Sequence, residues 1–277
     1  MSKLGVIAGG GALPGRVIET CRAGGRPVFV LALEGQTDAA LLAQLQDEGV
    51  EHAAVRLGAV GRALDILRKA AVDEVVMVGA VKRPGLKDLR PDLKAMALLS
   101  KAGADALGDD GLLRAIVKQL EAEGFRVCGV EDLVGGLLAE GGLYGRHGPD
   151  LQAERDIARG VAVVRALGAV DVGQAAVVQQ GIVLGVEAAE GTDALLARCA
   201  GLQRAGDGGV LVKLRKPAQE QRVDLPTLGP TTLEAAVAAG LRGIAFEAGG
   251  CLILDPVKLT ARADAEGLFL LGLEPDA

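Results

Sequence analysis

Five short apolar runs, separated by segments of helical periodicity, constrain the first half of this chain more than any other feature. Leu4-Gly5-Val6-Ile7-Ala8 opens the series, followed by Val28–Leu33, a weaker Ala53–Leu57, Val75–Val78 and Phe125–Val130. A continuous apolar run of this length suits a strand covered on both faces, as in parallel sheets. The segments between them read as helices: Pro14 to about Arg22, Asp38 to about Glu48 with Thr37 as candidate cap, Val60–Ala71, Asp92–Lys101 and Asp110–Glu123. Strands alternating with helices, joined by right-handed crossovers, predict a doubly wound parallel (Rossmann-like) α/β domain over residues 1–132.

The pattern then changes. Residues 133–150 are glycine-rich and read as a junction, with Leu133–Leu143 as a candidate apolar wall or as buried packing. Asp150–Leu167 reads as one long helix. Beyond it, Ala175–Gln179 and Ile182–Val186 look like paired strands around Gln180-Gly181. Helices at Thr192–Ala200, Thr232–Ala239 (cap Thr231) and Pro256–Ala265 are interspersed with strands at Val210–Leu214, Ile244–Glu247, Cys251–Leu254 and Leu268–Leu273. An α+β domain over residues 151–277 is the expectation.

Composition excludes several function classes. The formal net charge is −6 and aromatics make up 2% of the chain, so neither a general phosphate-backbone binder nor a base-stacking platform fits, and no nucleic-acid partner is expected. With Ser2 and Ser100 as its two serines, and His52 and His147 as its two histidines, the chain has little to build a Ser-His-Asp hydrolase or a His-built zinc site. Any metal rests on carboxylates and substrate oxygens, which favours Mg²⁺ or Mn²⁺. Cys21, Cys128, Cys199 and Cys251 form no CxxC pair and read as buried, reduced thiols of a cytoplasmic protein. No apolar run reaches the roughly 18 residues of a membrane span, and the N-terminus is no signal peptide.

Four stretches carry candidate chemistry. Gly9-Gly10-Gly11-Ala12-Leu13-Pro14-Gly15 lies between a strand and a helix N-terminus, where backbone amides can cradle a phosphate. It nearly matches the dinucleotide fingerprint, with Glu34 as a ribose acceptor, but Pro14 stands where the third glycine belongs. A tight turn without ligand satisfies the same residues. Lys82 and Arg83, after a central strand, can meet a pyrophosphate or form a solvated basic turn. Glu187, Glu190 and Asp193 surround a helix start, so they either cap the helix or bind metal or sugar hydroxyls. The fourth stretch, Val210–Thr232, places Lys213, Arg215, Lys216 and Arg222 around Glu220 and Asp224, stiffened by Pro217, Pro226 and Pro230. That pattern suits a phosphate held by cations with a carboxylate for water or metal, and equally a solvated surface loop.

In their order along the chain, these motifs resemble the UDP-2,3-diacylglucosamine pyrophosphatases of lipid A biosynthesis, in the branch unrelated to calcineurin-like phosphoesterases. The resemblance spans essentially the whole chain. It is carried by Ile7–Pro14, Gly79–Pro84, Gly108–Arg114, Val186–Asp193 and, most specifically, Val212–Pro217 with Arg222-Val223-Asp224-Leu225-Pro226 and Gly229–Thr232. It implies hydrolysis of UDP-2,3-diacylglucosamine to UMP and the diacylated sugar 1-phosphate, lipid X, with Mg²⁺ (or Mn²⁺) as cofactor. It places the catalytic aspartate of the R-x-D-x-P motif at Asp224, as base or metal ligand. It further implies substrate contacts at Gly10, Gly11, Ala12, Leu13, Lys82, Arg83, Gln180, Glu187, Thr192, Lys213, Lys216 and Arg222. Glu187, Glu190 and Glu220 are additional candidate metal ligands. Ala218-Gln219-Glu220 stands where the family pattern reads Gly-Gln-Asp, which leaves the role of Glu220 open. A diacylated substrate implies an apolar cleft between the domains. A cytoplasmic homodimer touching the inner-membrane surface is the expected assembly. A nicotinamide-dependent oxidoreductase and a non-catalytic nucleotide-sugar or lipid carrier are the alternatives.

Overall fold

The computed structural model describes residues 1–81, 90–102, 109–217 and 219–275. The chain divides into two compact units: Met1–Gly135 with Glu220–Asp224, and Gly136–Gln219 with the chain from Leu225 onward.

In the first unit, β1 (Leu4–Ala8), β2 (Val28–Leu33), β3 (His52–Val55), β4 (Glu74–Val78) and β5 (Arg126–Val127) form a sheet in the order β3-β2-β1-β4-β5. Every pair is parallel. The described helices are α1 (Leu13–Ala23), α2 (Ala39–Asp47), α3 (Val60–Lys69), α4 (Leu93–Ala102), α5 (Asp109–Ala122) and the short α6 (Val130–Leu133). The order runs outward from β1 to β3, then puts β4 on the other side of β1. The topological switch point, where open α/β sheets bind ligands, therefore lies between β1 and β4. Leu31, Leu64, Leu67, Val75, Val117 and Val127 build one face of the core, and Val223, far away in sequence, packs against it.

The N-terminal edge of this sheet is tied by one carboxylate. Glu74 accepts hydrogen bonds from Ser2 Oγ at 2.7 Å and from Cys128 Sγ at 3.4 Å. Arg26 and Arg126 each pair with it at 2.6 Å. Burial opposes the charge on Glu74, but the bonds from Arg126, Ser2, Arg26 and Cys128 outweigh it and hold the carboxyl at about 2.

The second unit has a six-stranded sheet built from β6 (Gly142–Tyr144), β7 (Ala175–Gln179), β8 (Ile182–Val186), β9 (Val210–Lys213), β11 (Gly243–Glu247) and β13 (Phe269–Leu273), and a two-stranded one from β10 (Thr227–Leu228) and β12 (Leu252–Ile253). The larger sheet has the order β6-β13-β11-β9-β7-β8. β9, β11 and β13 run parallel, while β6 and β7 flank them antiparallel. The helices are α7 (Leu151–Ala169), α8 (Thr192–Ala200), α9 (Pro230–Ala238) and α10 (Pro256–Ala265). The expected architecture, a Rossmann-like parallel sheet followed by a mixed α and β unit, is the one found. Among the described residues, no helix is long and apolar enough to cross a membrane. All four cysteines are buried and free.

Several local readings change. Residues 220–224 pack with the first unit, not with the remainder of 151–277, because Val223 enters the first core. Much of the glycine-rich stretch is built into the second unit. Ala139 N–H donates to Cys251 O at 2.8 Å, Ile253 N–H donates to Leu137 O at 2.7 Å, and β6 pairs with β13. Leu137 and Ala139 are accordingly buried. Thr37 does not cap α2. Its hydroxyl donates to Ala8 O at 2.7 Å and accepts from Leu33 N–H at 2.9 Å, joining the ends of β1 and β2. α9 starts at Pro230 with Gly229 at the cap, two residues ahead of the expected Thr231.

The Glu74 cluster generates a pH prediction. A folded-state carboxyl near 2, against an ordinary value of 4.5, contributes stability that is present above pH 4.5 and lost as pH falls toward 2. The contribution is on the order of 3 kcal/mol for a shift of this size. Urea unfolding of wild type and Glu74→Gln between those pH values is expected to converge at the acid end. Parallel pH profiles for the two proteins would contradict this.

Candidate functional site

The switch point of the first sheet is closed by the chain itself. Gly9 N–H donates to Val78 O, Gly10 N–H donates to Ala80 O, and Ala80 N–H donates back to Gly10 O, at 2.8, 2.8 and 2.9 Å. This close approach explains Gly79: its φ is +97°, and a Cβ there would stand 2.7 Å from Gly10 O. Gly11 N–H donates to the carboxylate of Asp38 at 2.8 Å. The amides of Gly10 and Gly11 thus have partners within the protein. Among the described residues, the donors left to an anion are those at the opening of α1, from Ala12, Leu13 and Gly15. They precede the first helical bond, which Arg16 N–H donates to Ala12 O at 3.2 Å. Lys82 and Arg83 lie outside the described residues.

In the second unit, candidate residues gather at the carboxyl ends of β9 and β8. Lys213, the last residue of β9, is buried and its Nζ donates to Thr227 O at 2.9 Å. Cys251 feels this ammonium, but complete burial dominates and pushes its thiol to about 12, so it is no nucleophile. Arg215 is oriented by Glu247, which accepts its N–H at 2.9 Å and faces its guanidinium at 3.7 Å. Lys216 is buried, with Nζ 2.6 Å from Asp171 Oδ1. Glu187 is also buried, accepting from Thr192 Oγ1 at 2.9 Å and from Gln174 N–H at 3.3 Å. Glu190 is exposed and pairs with Arg198 at 2.8 Å. A local backbone hydrogen bond and then Arg198 lower its carboxyl.

Gln180 sits in the β7–β8 turn at φ +53° beside Gly181 at +76°. Its N–H and that of Gly181 donate to the buried carboxylate of Asp156 at 2.9 and 2.6 Å. The residue signals a two-residue hairpin turn, and its backbone role is structural.

The segment 220–224 is held by a fork of charges. Arg222 meets Glu220 with two nitrogens, at 2.9 and 3.1 Å, and Glu121 on α5 with a third at 2.7 Å. Arg222 is raised by its bonds to Glu220 and Glu121, and Glu220 is lowered chiefly by its bond to Arg222. Val223 N–H and Asp224 N–H both donate to Glu220 O, at 3.1 and 3.0 Å. Asp224, half-buried, therefore stands at the end of a short turn clamped by Arg222.

Among the described residues, no group of three or more His, Cys, Asp or Glu side chains is placed to hold a metal. Of the candidate ligands, Glu187, Glu190 and Glu220 are engaged by Thr192 and Gln174, by Arg198, and by Arg222. Sequence reasoning did not single out Asp38, Glu121, Asp171, Gln174 or Glu247. Each is an ordinary polar residue on a helix or strand end, with nothing local to mark its contact.

Comparison with known proteins gives a consistent result. A family model described as the LpxI N-terminal domain matches residues 3–137, and one described as the LpxI C-terminal domain matches residues 140–271. A relative from Caulobacter vibrioides, named UDP-2,3-diacylglucosamine pyrophosphatase LpxI, is 42% identical over 282 residues, covering 99% of each chain. Among solved structures, isoflavone reductase covers 99% of this chain and 80% of its own at 12% identity, but its TM-score of 0.29 carries no argument.

The Arg222 fork is testable apart from activity. Arg222→Lys keeps the charge but cannot bridge Glu220 and Glu121 with three nitrogens. Loss of one charge-assisted bond should raise amide hydrogen exchange at Val223 and Asp224 about tenfold. Unchanged exchange at both would show that the fork does not hold the turn.

Proposed function

The chain belongs to the LpxI family and is a hydrolase that cleaves the pyrophosphate bond of UDP-2,3-diacylglucosamine in lipid A biosynthesis; we propose how its residues divide that work. The observation that carries the reading is the 42% identity to a pyrophosphatase of this name over 99% of both chains. With it, the nicotinamide and carrier alternatives fall away.

In the proposal, water attacks one phosphorus of the diphosphate and the other phosphate leaves, giving UMP and 2,3-diacylglucosamine 1-phosphate. Asp224 takes its role from its place in Arg222-Val223-Asp224-Leu225-Pro226. It orients the attacking water, or would hold a Mg²⁺ (or Mn²⁺) ion brought with the substrate. A hard cation carried on a diphosphate needs one or two protein carboxylates and no larger ligand cluster. When bound, it supplies neutralisation of charge on the phosphoryl oxygens. The α1 amides of Ala12 and Leu13 suit one phosphate, and Lys82 and Arg83 are assigned beside them from the resemblance alone. Lys213, Lys216 and Arg222 hold the loop in shape and set its local field. Glu187 and Thr192 support it from below through Gln174. The two acyl chains of the substrate are the reason to place the protein at the cytoplasmic face of the inner membrane. A homodimer is the expected assembly.

Asp224→Ala, assayed for UMP release with Mg²⁺ present, should lose about 10³-fold or more in kcat. Stripping divalent cations from wild type should abolish release, and added Mg²⁺ should restore it. Near-wild-type turnover by Asp224→Ala would remove the residue from the mechanism.

A further inference from the structure

A chain of hydrogen bonds runs beneath the loop that leaves β9. Thr192 Oγ1 donates to Glu187 Oε1 at 2.9 Å, and Gln174 N–H donates to Glu187 Oε2 at 3.3 Å. Gln174 then reaches the loop twice. Its carbonyl accepts Leu214 N–H at 3.0 Å, and its side-chain Oε1 accepts from Gln219 Nε2 at 3.2 Å. Gln219 in turn closes a turn with Lys216. Gln219 Oε1 accepts Lys216 N–H, and Gln219 N–H donates to Lys216 O, both at 3.1 Å. Lys216 Nζ is anchored to Asp171, three residues before Gln174. Gly173 lets this strip lie close: a Cβ there would collide with Glu187 O. Gln219 and Lys216 are both buried, so the turn is fixed and not merely draped on the surface.

We propose that Gln174 is a positioning residue for the hydrolysis, holding the start of the loop that follows β9, with its Lys213, Arg215 and Lys216, in its working shape through Gln219. Nothing in the family resemblance marks Gln174, which reaches Glu187 through its own N–H and the loop through Leu214 and Gln219. Of its two contacts with the loop, the backbone one is indifferent to its side chain. The side-chain one asks for an acceptor facing Gln219 Nε2. A residue of this kind acts on kcat, because a loop displaced by about 1 Å misplaces the reacting groups more than it weakens binding.

The inference rests on the hydrolase reading above, and the experiment separates the two. UMP release is measured for wild type, Gln174→Ala, Gln174→Glu, Gln219→Ala and the double alanine variant, each with a thermal unfolding check. Gln174→Ala is expected to lose about tenfold in kcat with KM held within about twofold. Gln174→Glu keeps the acceptor and should recover to within about threefold of wild type. Gln219→Ala removes the same bond and also the acceptor for Lys216 N–H, so it should lose at least as much as Gln174→Ala, and the double variant should be no worse than Gln219→Ala. Wild-type kcat in Gln174→Ala, a loss confined to KM, losses that multiply, or an equal loss in Gln174→Glu would each overturn the positioning role. Should Gln174→Ala fail to fold, Gln219→Ala decides alone, and an unchanged kcat there overturns it. A wild-type protein that releases no UMP would refute the hydrolase reading itself.

Discussion

Parallel strands end in backbone groups that their neighbours no longer match, and the satisfaction of those groups governs everything built at the two sheets' carboxyl edges. An unpaired buried amide or carbonyl costs about as much as the hydrogen bond it forgoes. The first sheet meets the demand by bonding the loops after β1 and β4 to each other through Gly10 and Ala80, and by threading Thr37 between the ends of β1 and β2. The second sheet meets it with side chains. Lys213 covers Thr227 O, and Glu247 covers Arg215 N–H. The same bonds that complete the fold therefore fix where charged groups stand.

Buried charges in this chain come with donors or counterions. Asp156 collects three N–H groups, Glu187 collects a hydroxyl and an amide, and Lys216 meets Asp171. Such groups specify geometry more than they add stability, because the desolvation cost takes back most of the attraction. Removing one partner is the expensive event. That asymmetry makes a hydrogen-bonded brace a good way to hold a loop that must keep one shape while the rest of its sequence, rich in proline and charge, has no regular structure.

The fold was legible because hydrophobic periodicity is a local signal. The runs at Leu4–Ala8 and Val28–Leu33 became strands at those same limits, and Ala175–Gln179 with Ile182–Val186 became the hairpin they suggested. Phe125–Val130 was shortened to Arg126–Val127, because the chain turns into α6 at Val130. β6 was missed because its three residues, Gly142–Tyr144, are a strand only through β13, which lies more than a hundred residues away. The site was legible as motifs and not as contacts. Asp38 meeting Gly11, Glu121 meeting Arg222 and Asp171 meeting Lys216 all join residues far apart in sequence. The cationic loop announced a phosphate chemistry, but sequence alone had no means of showing that its cations already had protein partners.

Those partners bear on how a diphosphate is accommodated. Arg215, Lys216 and Arg222 face Glu247, Asp171, and Glu220 with Glu121, and Lys213 is spent on a carbonyl. The loop that reads as strongly basic in sequence is close to neutral once folded, within a chain of net charge −6. Long-range attraction of an anionic substrate is then weak, since paired opposite charges a few Å apart cancel beyond about one Debye length. In the proposed chemistry, charge for the diphosphate arrives with it: a divalent cation on phosphate oxygens would supply it in a form needing a single carboxylate from the protein. This is the electrostatic reason for giving Asp224 a partner in the proposed chemistry. The proposal also separates two tasks often assigned to the same residues: it has the lysines and arginines shape the loop, and it gives the reaction to the aspartate at its end.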